Sequence, residues 1–103
     1  MTRTMISRPE DLIHELNTNP SECEDLVYTF ARMHWDLELV TLRDGSNALA
    51  HRDGHNFRIR HAAGTKFFVD WTDQRKRVLT LGAETRMPAS QAVEQLVRFA
   101  RGE

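Results

Sequence analysis

The chain has 103 residues, of which 40% are hydrophobic and 28% are charged, and its formal net charge is −1 at pH 7. This composition argues against a disordered chain, and no apolar run approaches the roughly 20 residues of a membrane span, so we predict one globular domain over residues 1–103. The near-neutral charge selects no class of partner, and the start of the chain lacks an apolar signal segment, which favours a cytoplasmic protein without membrane contact.

The first part of the chain carries the pattern of two helices. Ser7 and Glu10 have capping-box spacing, and Ser21 and Glu24 repeat it, so each pair is expected to satisfy free backbone N–H groups at a helix start. Apolar residues then recur every three or four positions. The predicted helices span 8–16 and 21–34.

Cys23 is the only cysteine of the chain. An internal disulfide and a multi-cysteine zinc site are therefore excluded. Its spacing with Leu26, Val27 and Phe30 places it on the apolar face of the second helix, where we expect a buried and unreactive thiol.

After the second helix the apolar period changes to two, which is typical of strands. The predicted strands lie within 36–43, 48–52, 57–61, 66–71 and 77–82. A last helix begins at Pro88 and ends at Gly102. Short turns favour an antiparallel arrangement, so the predicted fold class is α+β: two N-terminal helices, a five-stranded antiparallel β-meander and one C-terminal helix (ααβββββα), with the helices on one face.

The same patterns predict which side chains form the core. Apolar residues on the inward faces of the predicted helices and strands should pack together. The predicted core is Leu12, Leu16, Leu26, Val27, Phe30, Leu39, Phe57, Ile59, Phe67, Val69, Trp71, Leu79, Leu81, Val93, Leu96 and Val97.

A short motif occurs twice in the middle of the chain: RDGSN at 43–47 and RDGHN at 52–56. The spacing of nine residues fits a strand of about five residues and a four-residue turn. Asp-Gly is a leading hairpin dipeptide, because glycine enters positive φ without steric cost. We therefore predict two hairpin turns and not a repeated functional loop.

His51, His55 and His61 lie near these turns and raise the question of a metal or catalytic site. Their spacing matches no zinc motif, and no partner for acid–base catalysis is identifiable. The sequence also has no glycine-rich phosphate loop and no nucleophile elbow. We expect solvated histidines at the sheet edge, with no metal, no cofactor and no catalytic residue, and an enzyme is the less favoured class.

Charge is unevenly distributed along the chain. Residues 1–38 hold three arginines against eight carboxylates, whereas residues 52–77 hold seven basic side chains against three acidic ones. The acidic surface of the first two helices could dock a basic protein partner. Most of its carboxylates are explained by the helix dipole, and Asp11 and Glu15 are the candidate partner-binding residues.

An alternative hypothesis is nucleic-acid binding on a basic sheet face. Arg58 and Arg60 should point away from the core, and a neighbouring strand could add basic and aromatic side chains for phosphate contacts and base stacking. The candidate nucleic-acid-binding residues are Arg58, Arg60, Lys66, Phe68, Arg75, Lys76 and Arg77.

Residues 35–61 resemble the core of HicA-type mRNA interferases, in which a tryptophan strand, a Gly-Ser-His turn and an Asp-Gly turn follow one another. Trp35, Gly45-Ser46 and Asp53-Gly54 stand in matching order. The catalytic histidine of that family would fall at Asn47, and an amide is no general base. The resemblance therefore implies an RNA-binding fold without its catalyst.

The C-terminal third resembles immunity proteins that neutralise polymorphic toxins. Such proteins carry a strand pair followed by a helix that begins at proline and ends near Phe-x-x-Gly-Glu, which Pro88, Ala92, Phe99, Gly102 and Glu103 match in order. This resemblance implies a non-catalytic protein that binds a toxin.

Taken together, the sequence favours a non-catalytic protein-binding module of the immunity, antitoxin or adaptor kind. The alternatives are RNA binding through the basic sheet face, or a relative of the HicA-type toxins that lacks the catalytic histidine. The oligomeric state stays open.

Overall fold

In the computed structural model, the described residues are 6–72, the backbone of 78–80, and 86–102. The helices are α1 (Pro9–Thr18), α2 (Cys23–His34) and α3 (Ala89–Ala100), with a single 3-10 turn at Pro20–Glu22 before α2. The strands are β1 (Glu38–Thr41), β2 (Asn47–Ala50), β3 (Asn56–Ala63), β4 (Lys66–Thr72), β5 (Val78–Thr80) and a two-residue β6 (Met87–Pro88). The predicted α+β fold in the order ααβββββα is confirmed, and β6 is an addition to it.

The sheet is an antiparallel meander in which β1 to β5 lie side by side in chain order. The longest ladder joins β3 to β4 and sets Phe57 opposite Trp71, and Ile59 opposite Val69. The short β6 pairs with the first residues of β4 and so connects the sheet directly to α3. Because successive side chains of a strand alternate between faces, this register puts the aromatic and β-branched residues on one side.

α2 and α3 pack over that apolar side of the sheet, α1 packs against both of these helices, and one continuous core forms. The buried residues of the predicted core are Leu12, Leu16, Leu26, Val27, Phe30, Phe57, Ile59, Phe67, Val69, Trp71, Val93 and Leu96. Val97 is half-buried against the core, and the side chains of Leu79 and Leu81 lie outside the described part of the chain. The prediction for Leu39 was wrong, because this side chain is 44% exposed.

The predicted capping boxes are also wrong. The residue before α1 is Arg8, with Pro9 in the first turn, and no side chain caps this helix start. Before α2, Pro20 begins the 3-10 turn, so Ser21 lies inside that turn and caps nothing. The fixed φ of proline, which suits a helical first turn, starts both helical segments instead.

Both Asp-Gly motifs form hairpin turns, as predicted. Gly45 and Gly54 have φ of 88° and 95°, a region that residues with a Cβ rarely adopt. The carboxylates of Asp44 and Asp53 each accept the backbone N–H two residues further on, at 3.0 and 3.1 Å. The repeated motif therefore builds the same turn twice, with the aspartate locking the glycine conformation.

Cys23 is buried at the start of α2, which confirms the predicted location. Burial raises the pKa of its thiol to about 11, and the nearby carboxylate of Glu24 acts in the same direction. The thiol therefore stays protonated at neutral pH and packs as a small apolar group. Among the described residues, no helix is long and apolar enough to cross a bilayer.

Candidate functional site

A groove of about 670 Å³ runs between α2 and the sheet. Its wall is the 3-10 turn and the exposed side of α2, and its floor is formed by one residue from each of the first three strands. The floor residues are Leu39, Asn47 and His61, and the wall includes Glu22, Glu24, Asp25, Tyr28, Thr29 and Arg32.

Tyr28 fixes the position of α2 over this groove. Its ring is buried, and its hydroxyl donates to the backbone carbonyl of Asn47 at 2.8 Å. Since β2 and β3 pair only through Leu49–Phe57 and Ala50–Asn56, this bond ties α2 to β2 beyond the end of that ladder.

Burial is the main reason that the pKa of Tyr28 lies above its ordinary value, and the carboxylate of Glu24 adds to the effect. The hydroxyl therefore remains a neutral hydrogen-bond donor at any physiological pH. This makes Tyr28 a structural support for the groove and not an acid or base.

Leu39 lies on the floor of the groove because α2 does not reach the first strand. In the ladder Leu39 faces Leu49, and both side chains point to the helical side of the sheet. The helix packs mainly on β3 and to a lesser extent on β2. Leu39 is on the face that the sequence predicted, but no helix in the described part of the chain covers it.

The outer edge of β1 exposes backbone hydrogen-bonding groups. Among the described residues, β1 pairs only with β2. The N–H of Leu42 donates to the carbonyl of Ser46 at the hairpin, so the bonded positions of β1 are the even-numbered ones. Because bonded and non-bonded pairs alternate in an antiparallel ladder, Leu39 and Thr41 direct their N–H and C=O groups away from β2.

The wall of the groove has an acidic character. Glu22, Glu24 and Asp25 have exposed side chains there, and Arg32 is the basic residue among the lining groups. The charge of the lining therefore favours cationic over anionic groups in the groove.

The two predicted partner-binding residues lie elsewhere, on α1. Asp11 is half-buried, with its carboxylate 3.6 Å from the guanidinium of Arg8. Glu15 is also half-buried and accepts a hydrogen bond from the side chain of Asn19 at 3.3 Å. They share one helix surface, as expected from their spacing, but they do not line the groove beside α2.

The predicted basic face exists on the opposite side of the sheet. The register pairs Arg58 with Asp70 and Arg60 with Phe68, so these side chains share that face with Lys66. The guanidinium of Arg60 lies over the Phe68 ring, 5.6 Å from its centroid. Predicted residues Arg75, Lys76 and Arg77 lie outside the described residues.

Carboxylates neutralise the centre of this face. Arg58 donates to Asp70 at 2.6 Å and to Asp44 at 2.8 Å, and its side chain is only 21% exposed. The hydrogen bond that Arg58 donates to Asp70 is the first reason that the pKa of Arg58 lies above its ordinary value. Asp70 also lies 3.9 Å from Arg60. Two carboxylates thus oppose the two predicted arginines, which the sequence analysis did not foresee.

The three histidines do not form one site. His51 bonds to the carbonyl of Phe99 at 2.8 Å, and His61 bonds to the carbonyl of Gly64 at the same distance. His55 is 5% exposed, with its ring 3.1 Å from Asp53, so the prediction that it is solvated was wrong. The hairpin folds its imidazole inward. The described residues contain no cluster of three or more histidine, cysteine or acidic side chains that could hold a metal.

The geometry therefore defines a small α+β domain with an acidic groove beside an open sheet edge. No family model matches the chain. Searches of curated proteins and of solved structures likewise found no match.

The sequence analysis missed the groove for two reasons. Tyr28 was not singled out, since a tyrosine hydroxyl that bonds to a distant backbone carbonyl has no sequence motif. Leu39 was assigned to the core on alternation alone. The order of the strands could have indicated this exposure. The first strand of a meander has a neighbouring strand on one side only, so it forms an edge of the sheet.

Proposed function

We propose that the protein is a non-catalytic protein-binding module, of the immunity, antitoxin or adaptor kind, which captures a partner with a basic surface. The observation that carries this proposal is the contrast between the two charged surfaces. Glu24 of α2 stands exposed at the surface, whereas the central arginine of the basic face is held by carboxylates of the same chain.

The N-terminal part has a strongly negative charge. Residues 6–38 contain two arginines and eight carboxylates. Glu24 is exposed, and its negative charge contributes to the raised pKa values of Cys23 and Tyr28. A field of this kind speeds the approach of a cationic partner and disfavours anionic ones.

The alternative, nucleic-acid binding, rests on a narrower set of groups. Arg60, Lys66 and Phe68 could contact a phosphate and stack a base on the open sheet face. Arg58 would have to exchange Asp70 and Asp44 for phosphate, and those two carboxylates would then repel the backbone of the nucleic acid. Protein binding is therefore the better supported function.

Charge reversal separates the two functions. The probes are a lysine-rich 20-residue peptide and a single-stranded 20-nucleotide RNA, each labelled and titrated at 0.05 and 0.3 M salt. We expect the wild type to bind the peptide and not the RNA. The affinity for the peptide should fall at the higher salt concentration. Glu24→Lys and the double variant Asp11→Lys/Glu15→Lys should each weaken peptide binding at least threefold.

Two control variants accompany this test. Glu94→Lys makes the same charge change at an exposed position of α3, and it should leave peptide binding within a factor of two of wild type. Arg60→Glu/Lys66→Glu should also retain it. Salt-sensitive binding of the RNA by the wild type, lost in Arg60→Glu/Lys66→Glu, would reverse the assignment in favour of nucleic-acid binding.

A further inference from the structure

We infer that the basic partner binds by strand addition: an extended segment of it pairs with the outer edge of β1, where no described residue pairs, and lies along the groove beside α2. This inference rests on the proposed function and specifies how the partner is held. It concerns a site that none of the predicted binding residues occupies.

The backbone of β1 provides the first part of the argument. Leu39 and Thr41 direct their N–H and C=O groups to the outer edge, because the even-numbered residues of β1 bond to β2. An extended segment in register would receive up to four backbone hydrogen bonds there. This is the way in which edge strands recognise peptides, with side chains adding selectivity.

The side chains of β1 leave this edge open. Natural edge strands are often protected by lysine, proline or a bulge. The strand reads Glu38-Leu39-Val40-Thr41, so it is short and carries the charge of Glu38, but it contains no lysine or proline, and its pairing with β2 is regular. Leu39 instead presents an exposed apolar side chain on the groove side, where it can contact the side chains of an added strand.

The groove determines the chemistry of the segment. Alternate side chains of an added strand point to the helical side of the sheet, where Leu39 forms part of the floor. The wall there holds three acidic residues against one arginine, Arg32. Lysine or arginine at alternate positions would lie on the side of Glu24. The apolar residues between them would point to the face of the sheet opposite the helices. A segment with alternating basic and apolar residues is therefore the expected ligand.

Charge also distinguishes a partner from a second copy of this chain. Antiparallel pairing of β1 with the β1 of another copy would place the helices of both copies on the same face of one sheet. The two acidic groove walls would then face each other across the junction, which like charges disfavour. The complementary occupant is a basic segment of a different protein.

Hydrogen exchange measured by NMR tests this inference on the wild-type chain. The probe is a ten-residue peptide of alternating lysine and valine, and a peptide of alternating glutamate and valine is its control. At saturation with the lysine peptide, exchange of the Leu39 and Thr41 amides should slow at least tenfold. The Val40 amide, which already faces β2, should change less than twofold.

A proline substitution provides a second readout. Thr41→Pro removes an outward N–H but no hydrogen bond to β2, and proline is tolerated at such edge positions. It should lower the affinity for the lysine peptide at least tenfold, whereas Thr41→Val, which keeps the N–H and a branched side chain, should stay within a factor of two. Because the exchange measurement needs no variant, misfolding of Thr41→Pro would leave the inference fully testable.

The possible failures are distinguishable. If Glu24→Lys weakens peptide binding while Thr41→Pro and the Leu39 amide show no effect, strand addition is wrong and the proposed function stands. If the wild type binds no lysine-rich probe, both are wrong. If sedimentation without peptide shows a dimer that Thr41→Pro dissociates, the occupant is a second copy, and the inferred partner is overturned.

Discussion

Leu39 of β1 and Leu49 of β2 are directly opposed in one antiparallel ladder, yet Leu49 is fully buried and Leu39 is 44% exposed. The helical layer ends between them, because α2 lies over β2 and β3. The boundary of the core therefore falls inside a single cross-strand pair, and the groove begins where the helix stops.

Because of this boundary, the same leucine-to-alanine substitution should lower the free energy of unfolding by different amounts at the two positions. Leu49→Ala should lower the free energy of unfolding by about 2–5 kcal/mol, since it opens a cavity in the core. Leu39→Ala should cost less than about 1 kcal/mol, because its site is already open to water. Urea denaturation of both variants measures the difference. Equal losses would mean that Leu39 belongs to the core after all.

Removal of the Tyr28 hydroxyl should destabilise the protein without changing its packing. Tyr28→Phe keeps the buried ring but leaves the carbonyl of Asn47 without the donor that lies 2.8 Å away. We expect a loss of about 0.5–1.5 kcal/mol in urea denaturation, since a part-buried hydrogen bond is lost. Thr29→Ala, at the exposed neighbouring position, should change stability by less than about 0.5 kcal/mol. A neutral Tyr28→Phe would show that water replaces the hydroxyl.

The ion pair of Arg58 and Asp70 should be sensitive to removal of one partner alone. Asp70 is 12% exposed, so Arg58→Met leaves a largely buried carboxylate with only the more distant guanidinium of Arg60, 3.9 Å away. We expect a loss of about 2–3 kcal/mol, reduced from the value for fully buried pairs by the remaining exposure.

Arg58→Met/Asp70→Leu should recover most of that loss, because an apolar pair carries no desolvation cost. Arg60→Met, whose guanidinium lies 3.9 Å from Asp70, should cost less than about 1 kcal/mol. A double variant as unstable as Arg58→Met would indicate that the alkyl chain of the arginine, and not its charge, is what matters.

Asp44 should make stability depend on acid pH. The hydroxyl and N–H of Ser46, followed by the guanidinium of Arg58, lower the pKa of Asp44 from 3.8 to about 2. Since the folded pKa is depressed, the contribution is present above about pH 4 and is lost as the pH falls towards 2. NMR titration of the Asp44 carboxylate should give a midpoint near 2.

Ser46→Ala should move the Asp44 midpoint upward, towards its ordinary value, because it removes the hydroxyl that contributes most to the shift. Asp44→Asn should flatten the fall in melting temperature between pH 4 and 2. A wild-type midpoint near 3.8 would contradict the hydrogen bonds of this turn.

Short-range patterns determined much of this fold. Helical and strand periods are local properties, so the order of the elements, the two Asp-Gly turns and most of the core follow from residues a few positions apart. The burial of Cys23 and the shared face of Arg58 and Arg60 follow in the same way.

The features that local patterns did not predict depend on contacts between residues that are distant in the chain. Whether Leu39 is covered depends on the length and position of α2, and the neutral centre of the basic face depends on Asp70, which lies twelve residues after Arg58. The inward turn of His55 and the bond from Tyr28 to Asn47 are likewise products of packing. Periodicity specifies which way a side chain points, but only the assembled layers decide what it meets there.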